Sequence, residues 1–199
     1  IQETRKVIDI TKELKQLFPT QKTPLIVANI GGFSMDEVIE SKYKVKYYEK
    51  FYDSLNQLSR KGVEIIPQTM APFPWHFGGQ RYQNLFVLPE EIVENCKSMK
   101  IRICLDVSHS MLTCNHYNIN FYDFIEQVAP YTAHIHLGDA KGVNGEGLQI
   151  GDGDINFNKL CEILLEKASG ASFIPEIWQG HKNNGEGFWI ALDRLEGLI

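Results

Sequence analysis

The sequence predicts an α/β fold, and within that class a parallel-stranded (β/α)8 barrel. Three observations lead there. Five short β-rich runs, at 25–29, 63–68, 101–106, 133–137 and 173–177, alternate with stretches of helical periodicity, which is the pattern of βαβ crossovers. Polar residues gather just after each run, namely Asn29, Gln68, Asp106 with His109, His136 with Asp139, and Glu176. Barrels carry their chemistry on that C-terminal rim. Finally, neither a G-x-G-x-x-G nor a Walker sequence follows the first run, which argues against a nucleotide-binding doubly wound sheet.

The elements follow in order from periodicity. Val7, Leu14, Leu17 and Phe18 recur at helical spacing before the first run, and Tyr43, Tyr47, Phe51, Leu55 and Leu58 do so after it. Further helices are expected at about 89–99, 121–129, 156–168 and 187–196. The longest irregular stretches are 69–88 and 138–155, and both follow rim residues. Trp75, Phe77, Arg81, Tyr82 and Phe86 enrich the first, which therefore reads as an ordered binding loop. A closed barrel takes about 250 residues, roughly 30 per unit. With 199 residues, five strands and a leading helix, the chain reads as one domain over 1–199, the C-terminal five-eighths of a barrel. The remainder would come from an upstream domain or from a partner, including a second copy.

Composition narrows the function. Twenty Lys and Arg stand against 25 Asp and Glu, and the net charge of −5 opposes a broad nucleic-acid footprint. No apolar run approaches the roughly 20 residues of a membrane span, so a membrane role is not expected. Cys96, Cys104, Cys114 and Cys161 lack C-x-x-C spacing and read as buried free thiols, which points to a reducing cytoplasm.

Chemistry concentrates at three strand ends. In Ile103-Cys104-Leu105-Asp106-Val107-Ser108-His109 a buried strand ends in a carboxylate, which is costly unless paired or metal-bound. A helix N-cap by Asp106 with His109 incidental is the plainer alternative, and these residues alone leave both open. His134 and His136 alternate with apolar residues and so share one strand face. In Phe173-Ile174-Pro175-Glu176-Ile177-Trp178 a lone acid again sits among bulky apolar side chains. Asp, His and Glu from successive strands make an oxygen-rich donor set with one imidazole, suited to Mn²⁺, Mg²⁺, Co²⁺ or Zn²⁺.

These residues resemble the xylose-isomerase-like barrels over about 24–196, a group that includes sugar isomerases and epimerases, dehydratases and abasic-site endonucleases. In that family a Glu, an Asp, a His and a second Glu hold one divalent metal ion, with the Asp in an Asp-x-x-His motif. The resemblance assigns Asp106, His136 and Glu176 as ligands and His109 as a substrate-contacting or additional metal-binding histidine. Gly151-Asp152-Gly153-Asp154-Ile155-Asn156-Phe157 is similar to the family's G-x-G-x-I-D-F segment. One departure stands out. The family's first Glu follows a G-V-x-L-x-x-E strand, whereas this chain reads Gly62-Val63-Glu64-Ile65-Ile66-Pro67-Gln68.

Gln68 would be a neutral fourth ligand, leaving Glu176 as the one carboxylate base, with His109 moving protons or orienting a hydroxyl. The resemblance thus implies a metal-dependent isomerase or epimerase acting on a sugar, sugar phosphate or sugar acid. A degenerate sugar-binding module of a larger carbohydrate-biosynthesis protein is the rival, and a dehydratase or endonuclease ranks lower. Substrate contacts are expected from Trp75 and Arg81 in the first loop, from Trp178, His181 and Lys182 after the last strand, and from Asp139 and Lys141. Arg81, His181 and Lys182 together would clamp a carboxylate or phosphate.

Overall fold

The computed structural model describes residues 1–18, 20, 22–76 and 79–198. Five parallel strands form the frame: β1 (Leu25–Ala28), β2 (Glu64–Pro67), β3 (Ile103–Asp106), β4 (Thr132–Leu137) and β5 (Ser172–Pro175). They lie side by side in chain order. β1 pairs with β2, β3 with β4, and β4 with β5, while the Gln68–Cys104 bridge joins β2 to β3. All five expected strands are present, within two residues at either end. Phe173 and Ile174 of β5 are about half exposed.

Strand alternation divides the side chains into two layers. Leu25, Val27, Ile66 and Cys104 pack on the concave face, together with Ala133. Ile65, Ile103, Leu105, Ile135 and Leu137 join the main core against the helices. Among the described residues seven helices cover the strands: α1 (Gln2–Lys15), α2 (Ser41–Asn56), α3 (Pro89–Met99), α4 (Val107–Tyr117), α5 (Phe121–Val128), α6 (Phe157–Lys167) and α7 (Lys182–Glu196). Local chemistry sets their starts. Pro89 opens α3 with its backbone angle already helical, and the side chains of Asn120 and Asn156 accept the first free N–H groups of α5 and α6.

Three features depart from the sequence reading. α1 forms, yet Val7, Leu14, Leu17 and Phe18 face solvent and Ile8 is its buried residue. α4 was not expected, because its buried face carries Ser108, Ser110, Thr113 and Cys114 among the apolar positions and hides the usual stripe. The stretches 69–88 and 138–155 also hold short antiparallel pairs. Trp75–His76 pairs with Gly79–Gln80, and Asp139–Lys141 with Gly145–Leu148. Phe33–Ser34 similarly pairs with Tyr82–Gln83. Phe77 and Gly78, part of the expected binding loop, lie outside the described residues.

The four cysteines are free, three of them buried, and among the described residues no helix is long and apolar enough to cross a membrane. Phe124 of α5 is fully buried in the main core. Phe124→Ala should cost about 3–5 kcal/mol of stability, read as a lowered denaturant midpoint with an unchanged slope.

Candidate metal centre

Strand register builds the centre. Asp106 is the in-register partner of His136, so their side chains leave the same face of adjacent strands. His136 in turn pairs with Ile174, and Glu176 lies two residues further on, on that same face. The Glu176 N–H bonds to the Leu137 carbonyl at 2.8 Å, which carries the ladder one step past β5. One donor atom each from Asp106, His136 and Glu176 lies within 4.8 Å of the others.

The two Asp106 oxygens have different tasks. Oδ1 accepts the His109 N–H at 2.9 Å and the Ser108 hydroxyl at 3.2 Å, capping α4. Oδ2 turns to the cluster, where the Gln68 Nε2 amide donates to it at 2.7 Å and His109 Nδ1 lies 3.1 Å away. Asp106 is therefore a helix cap through one oxygen, while its other oxygen is paired within the cluster. Below the carboxylate, the Asp106 N–H donates to Thr69 Oγ1 at 2.8 Å and the Ser110 hydroxyl to the Asp106 carbonyl at 2.7 Å.

The charges are tightly linked. His136 Nδ1 lies 2.6 Å from Glu176 Oε2 and 3.8 Å from Asp106 Oδ2. Burial favours the neutral ring, but hydrogen bonds to Asp106, Cys104 and Glu176 outweigh it and push the imidazole up to about 12. Burial would also raise the Asp106 carboxyl, yet the His109 charge and the His136 hydrogen bond hold it well below the usual carboxylate range. Two carboxylates beside the ring favour a positive charge at this position. The donor set fits a divalent ion, since two carboxylates neutralise its charge and the imidazole supplies a nitrogen. Gln68 stands beside it, with Nε2 at 3.2 Å from His136 Nδ1.

A cavity of about 360 Å³ opens over the cluster, lined among others by Asp106, His109, Glu176, Trp178 and His181. Sequence reasoning missed one further ionisable lining residue, Glu146. It sits on the Asp139–Leu148 hairpin, 3.9 Å from His109 Nε2. Burial pushes the Glu146 carboxyl up against the pull of His109, and the Asp106 and Glu176 charges add to the rise. A lone acid between Gly145 and Gly147 was the signal available.

The hairpin is held by close approach and by one buried charge. A Cβ at Gly138 would lie 2.6 Å from the Glu176 carbonyl, and the Gly147 carbonyl accepts the Trp178 N–H at 2.7 Å. Asp139 is fully buried, and its carboxylate accepts the N–H groups of Ala140, Gly151, Gly153 and Ile155 at 2.8–3.2 Å. It braces the 149–155 loop and is not among the described residues that line the cavity.

The remaining expected contacts divide. Trp178 and His181 line the cavity. Lys182 instead donates to Gln179 Oε1 at 2.8 Å in solvent, Lys141 is exposed on the hairpin, and Arg81 sits half-buried between Gln80 and Tyr82. None of these three is among the described residues lining the cavity, so the anion clamp expected from Arg81, His181 and Lys182 is not assembled. Trp75 is exposed on its own short hairpin, whose Gln80 amide reaches Asn144 Oδ1 at 3.4 Å.

Residues 1–196 match the family model described as xylose isomerase-like TIM barrel. The chain is 34% identical over 117 residues to an uncharacterized protein of Methanocaldococcus jannaschii, MJ1614, a match covering 58% of this chain and 40% of that one. It thus spans less than half the length of that relative. Among solved structures it superposes on a D-tagatose 3-epimerase-like protein with a TM-score of 0.68 at 21% identity, covering 98% of this chain and 67% of that one. A zinc-bound IolI protein superposes with a TM-score of 0.73 at 15% identity, covering 99% and 68%. At these identities the structures show a common fold.

The Asp139 brace is directly testable. Asp139→Asn keeps the shape but removes the charge and half the acceptor capacity, and should cost about 2–3 kcal/mol in chemical denaturation. Unchanged stability would mean that the four N–H contacts carry little weight.

Proposed function

This chain belongs to the xylose isomerase-like TIM barrel family, and we propose that it is a divalent-metal-dependent isomerase or epimerase acting on a sugar. The observation carrying this reading is the convergence of Asp106, His136 and Glu176 donor atoms within 4.8 Å, under a cavity lined by His109, Trp178 and His181. The solved structures that share the fold support the same class, since one is described as D-tagatose 3-epimerase-like and another holds zinc.

In this proposal Asp106, His136 and Glu176 hold the ion, with Gln68 as a neutral fourth donor. A bound divalent ion would polarise a substrate carbonyl and its neighbouring hydroxyl, acidifying the C–H bond between them. Glu176 is the base. Its side chain is 54% exposed and reaches the cavity, whereas the Asp106 side chain is 3% exposed and occupied on both oxygens. Gln68 takes up no proton, so the proton that Glu176 removes returns from the same face, which favours transfer between adjacent carbons.

His109 has a fixed orientation. Its Nδ1 lies 3.1 Å from the Thr69 carbonyl, which only accepts, so the hydrogen of the neutral ring resides on Nδ1 and Nε2 is left for a substrate hydroxyl. Trp178, 72% exposed, offers an aromatic face for the apolar side of a sugar ring or chain. The rival reading, a sugar-binding barrel without turnover, rests on Gln68 replacing the family's first carboxylate.

Two measurements decide. Protein purified without chelator should carry about one equivalent of divalent metal, and Mn²⁺ at about 100-fold over its Kd should stabilise it by ~2.7 kcal/mol. Asp106→Ala, His136→Ala and Glu176→Ala should each abolish that shift. Metal content below about a tenth of an equivalent, with no shift on adding Mn²⁺ or Co²⁺, would overturn the proposal. Gln68→Glu should raise metal affinity about tenfold or more and change turnover. A change in stability alone would favour the non-catalytic reading.

A further inference from the structure

Residues 68–70 follow β2, and their backbone is tied to three different segments. The Gln68 N–H donates to the Ala28 carbonyl of β1 at 3.1 Å, and the Thr69 N–H to the Cys104 carbonyl of β3 at 2.9 Å. Both continue the sheet. The Met70 N–H donates instead to the Phe86 carbonyl at 2.9 Å, near the far end of the long 69–88 loop. Thr69 lies in the middle of this tripod. Its Oγ1 accepts the Asp106 N–H at 2.8 Å, and its carbonyl lies 3.1 Å from His109 Nδ1. Where Met70 is held therefore bears on where Asp106 and His109 stand.

Phe86 is held in an unfavourable shape. Its φ of 57° is a left-handed conformation that a bulky residue rarely adopts. A glycine would take it freely but would fill none of the core. Such strain persists only where the surroundings impose it, and it gathers at functional sites. Here the constraint comes from the outer helices. The Phe86 ring is fully buried, 5.6 Å from the Tyr48 ring and 5.9 Å from the Phe51 ring of α2. The Phe86 N–H donates to the Tyr48 hydroxyl at 2.8 Å. That hydroxyl donates to Glu91 Oε1 of α3 at 3.0 Å, and Glu91 Oε2 accepts Lys44 Nζ at 3.0 Å. The Val87 N–H also donates to Glu91 Oε1, at 3.1 Å. Burial and the Glu91 charge push the Tyr48 hydroxyl above its ordinary value, so it keeps the proton it shares with Glu91.

Lys44, Tyr48 and Glu91 do not line the cavity over the metal centre. Their reach toward it is through the backbone. We propose that Tyr48 is a positioning residue for that centre. Oriented by Glu91, its hydroxyl keeps Phe86 in the left-handed conformation, and the Phe86 carbonyl sets Met70, Thr69 and Gln68 against Asp106. The proposal rests on the metal-binding reading of Asp106, His136 and Glu176. A purely structural Tyr48 would stabilise the fold and leave metal affinity unchanged.

The test is calorimetric Mn²⁺ titration of the full chain, with thermal melting and amide hydrogen exchange on the metal-free protein. Tyr48→Phe keeps the ring and leaves the buried Phe86 N–H without its acceptor. It should weaken Mn²⁺ binding about fivefold or more. Glu91→Ala should do the same, while Glu91→Gln, which keeps an acceptor for the hydroxyl, should recover most of the loss. Leu160→Ala in the core of α6 should lower the melting temperature at least as far and leave the Kd within about twofold. In Tyr48→Phe the Met70 and Asp106 amide hydrogens should exchange about tenfold faster relative to those of β4.

A Tyr48→Phe variant that melts lower yet binds Mn²⁺ as the wild type does overturns the proposal and leaves the metal reading standing. So does exchange that accelerates by one common factor across the chain. If the wild type binds no Mn²⁺, the metal reading falls and the proposal falls with it.

Discussion

A carboxylate with no access to water must have every lone pair answered, and at the end of β3 this rule organises the whole rim. Asp106 meets it by splitting its two oxygens between the helix that follows and the cluster across the strands. Oδ1 closes the first turn of α4, which fixes the direction in which that helix leaves the sheet. The same turn carries His109 back over the strand end, so one side chain sets both the cap and the position of the imidazole. Thr69 and Ser110 clamp the backbone on which this depends.

The cluster is a problem in charge balance before it is one of catalysis. Two carboxylates and an imidazole at these distances need a positive charge among them, and a proton on His136 supplies it in the same place that a divalent ion would. A proton and a divalent ion would then compete for one position. Gln68 matters here because a third carboxylate would add another negative charge to be balanced. Its amide can instead donate to Asp106, as it does at 2.7 Å, or present its carbonyl oxygen to an ion.

The parts legible in sequence are those where chain order and spatial order coincide. β3, β4 and β5 are consecutive and parallel, so residues ending successive apolar runs had to arrive on one rim, and Asp106, His136 and Glu176 did. What escaped was set by contacts between segments distant in sequence. α4 was hidden because a helix buried on several sides no longer needs an apolar stripe, and Ser108, Ser110 and Thr113 serve its backbone and neighbours. Asp139 looked like a substrate contact from its place after the histidine strand, but only the fold shows four amide groups converging on it. Glu146 lay in a stretch without periodicity. Its relevance comes from the hairpin folding back over His109.

The join between the hairpin and the end of β5 bears on motion. Gly138 packs directly against the Glu176 carbonyl, and Gly147 bonds to Trp178, so the hairpin and the segment carrying Glu176 share a backbone contact surface with no side chain between them. Breathing of the cavity would then displace Glu146 and Glu176 as one body, against a wall formed by β3, β4 and α4. A molecule entering or leaving would change the width of the cleft without changing the spacing of the two carboxylates, and the gap that varies would be the one across to His109.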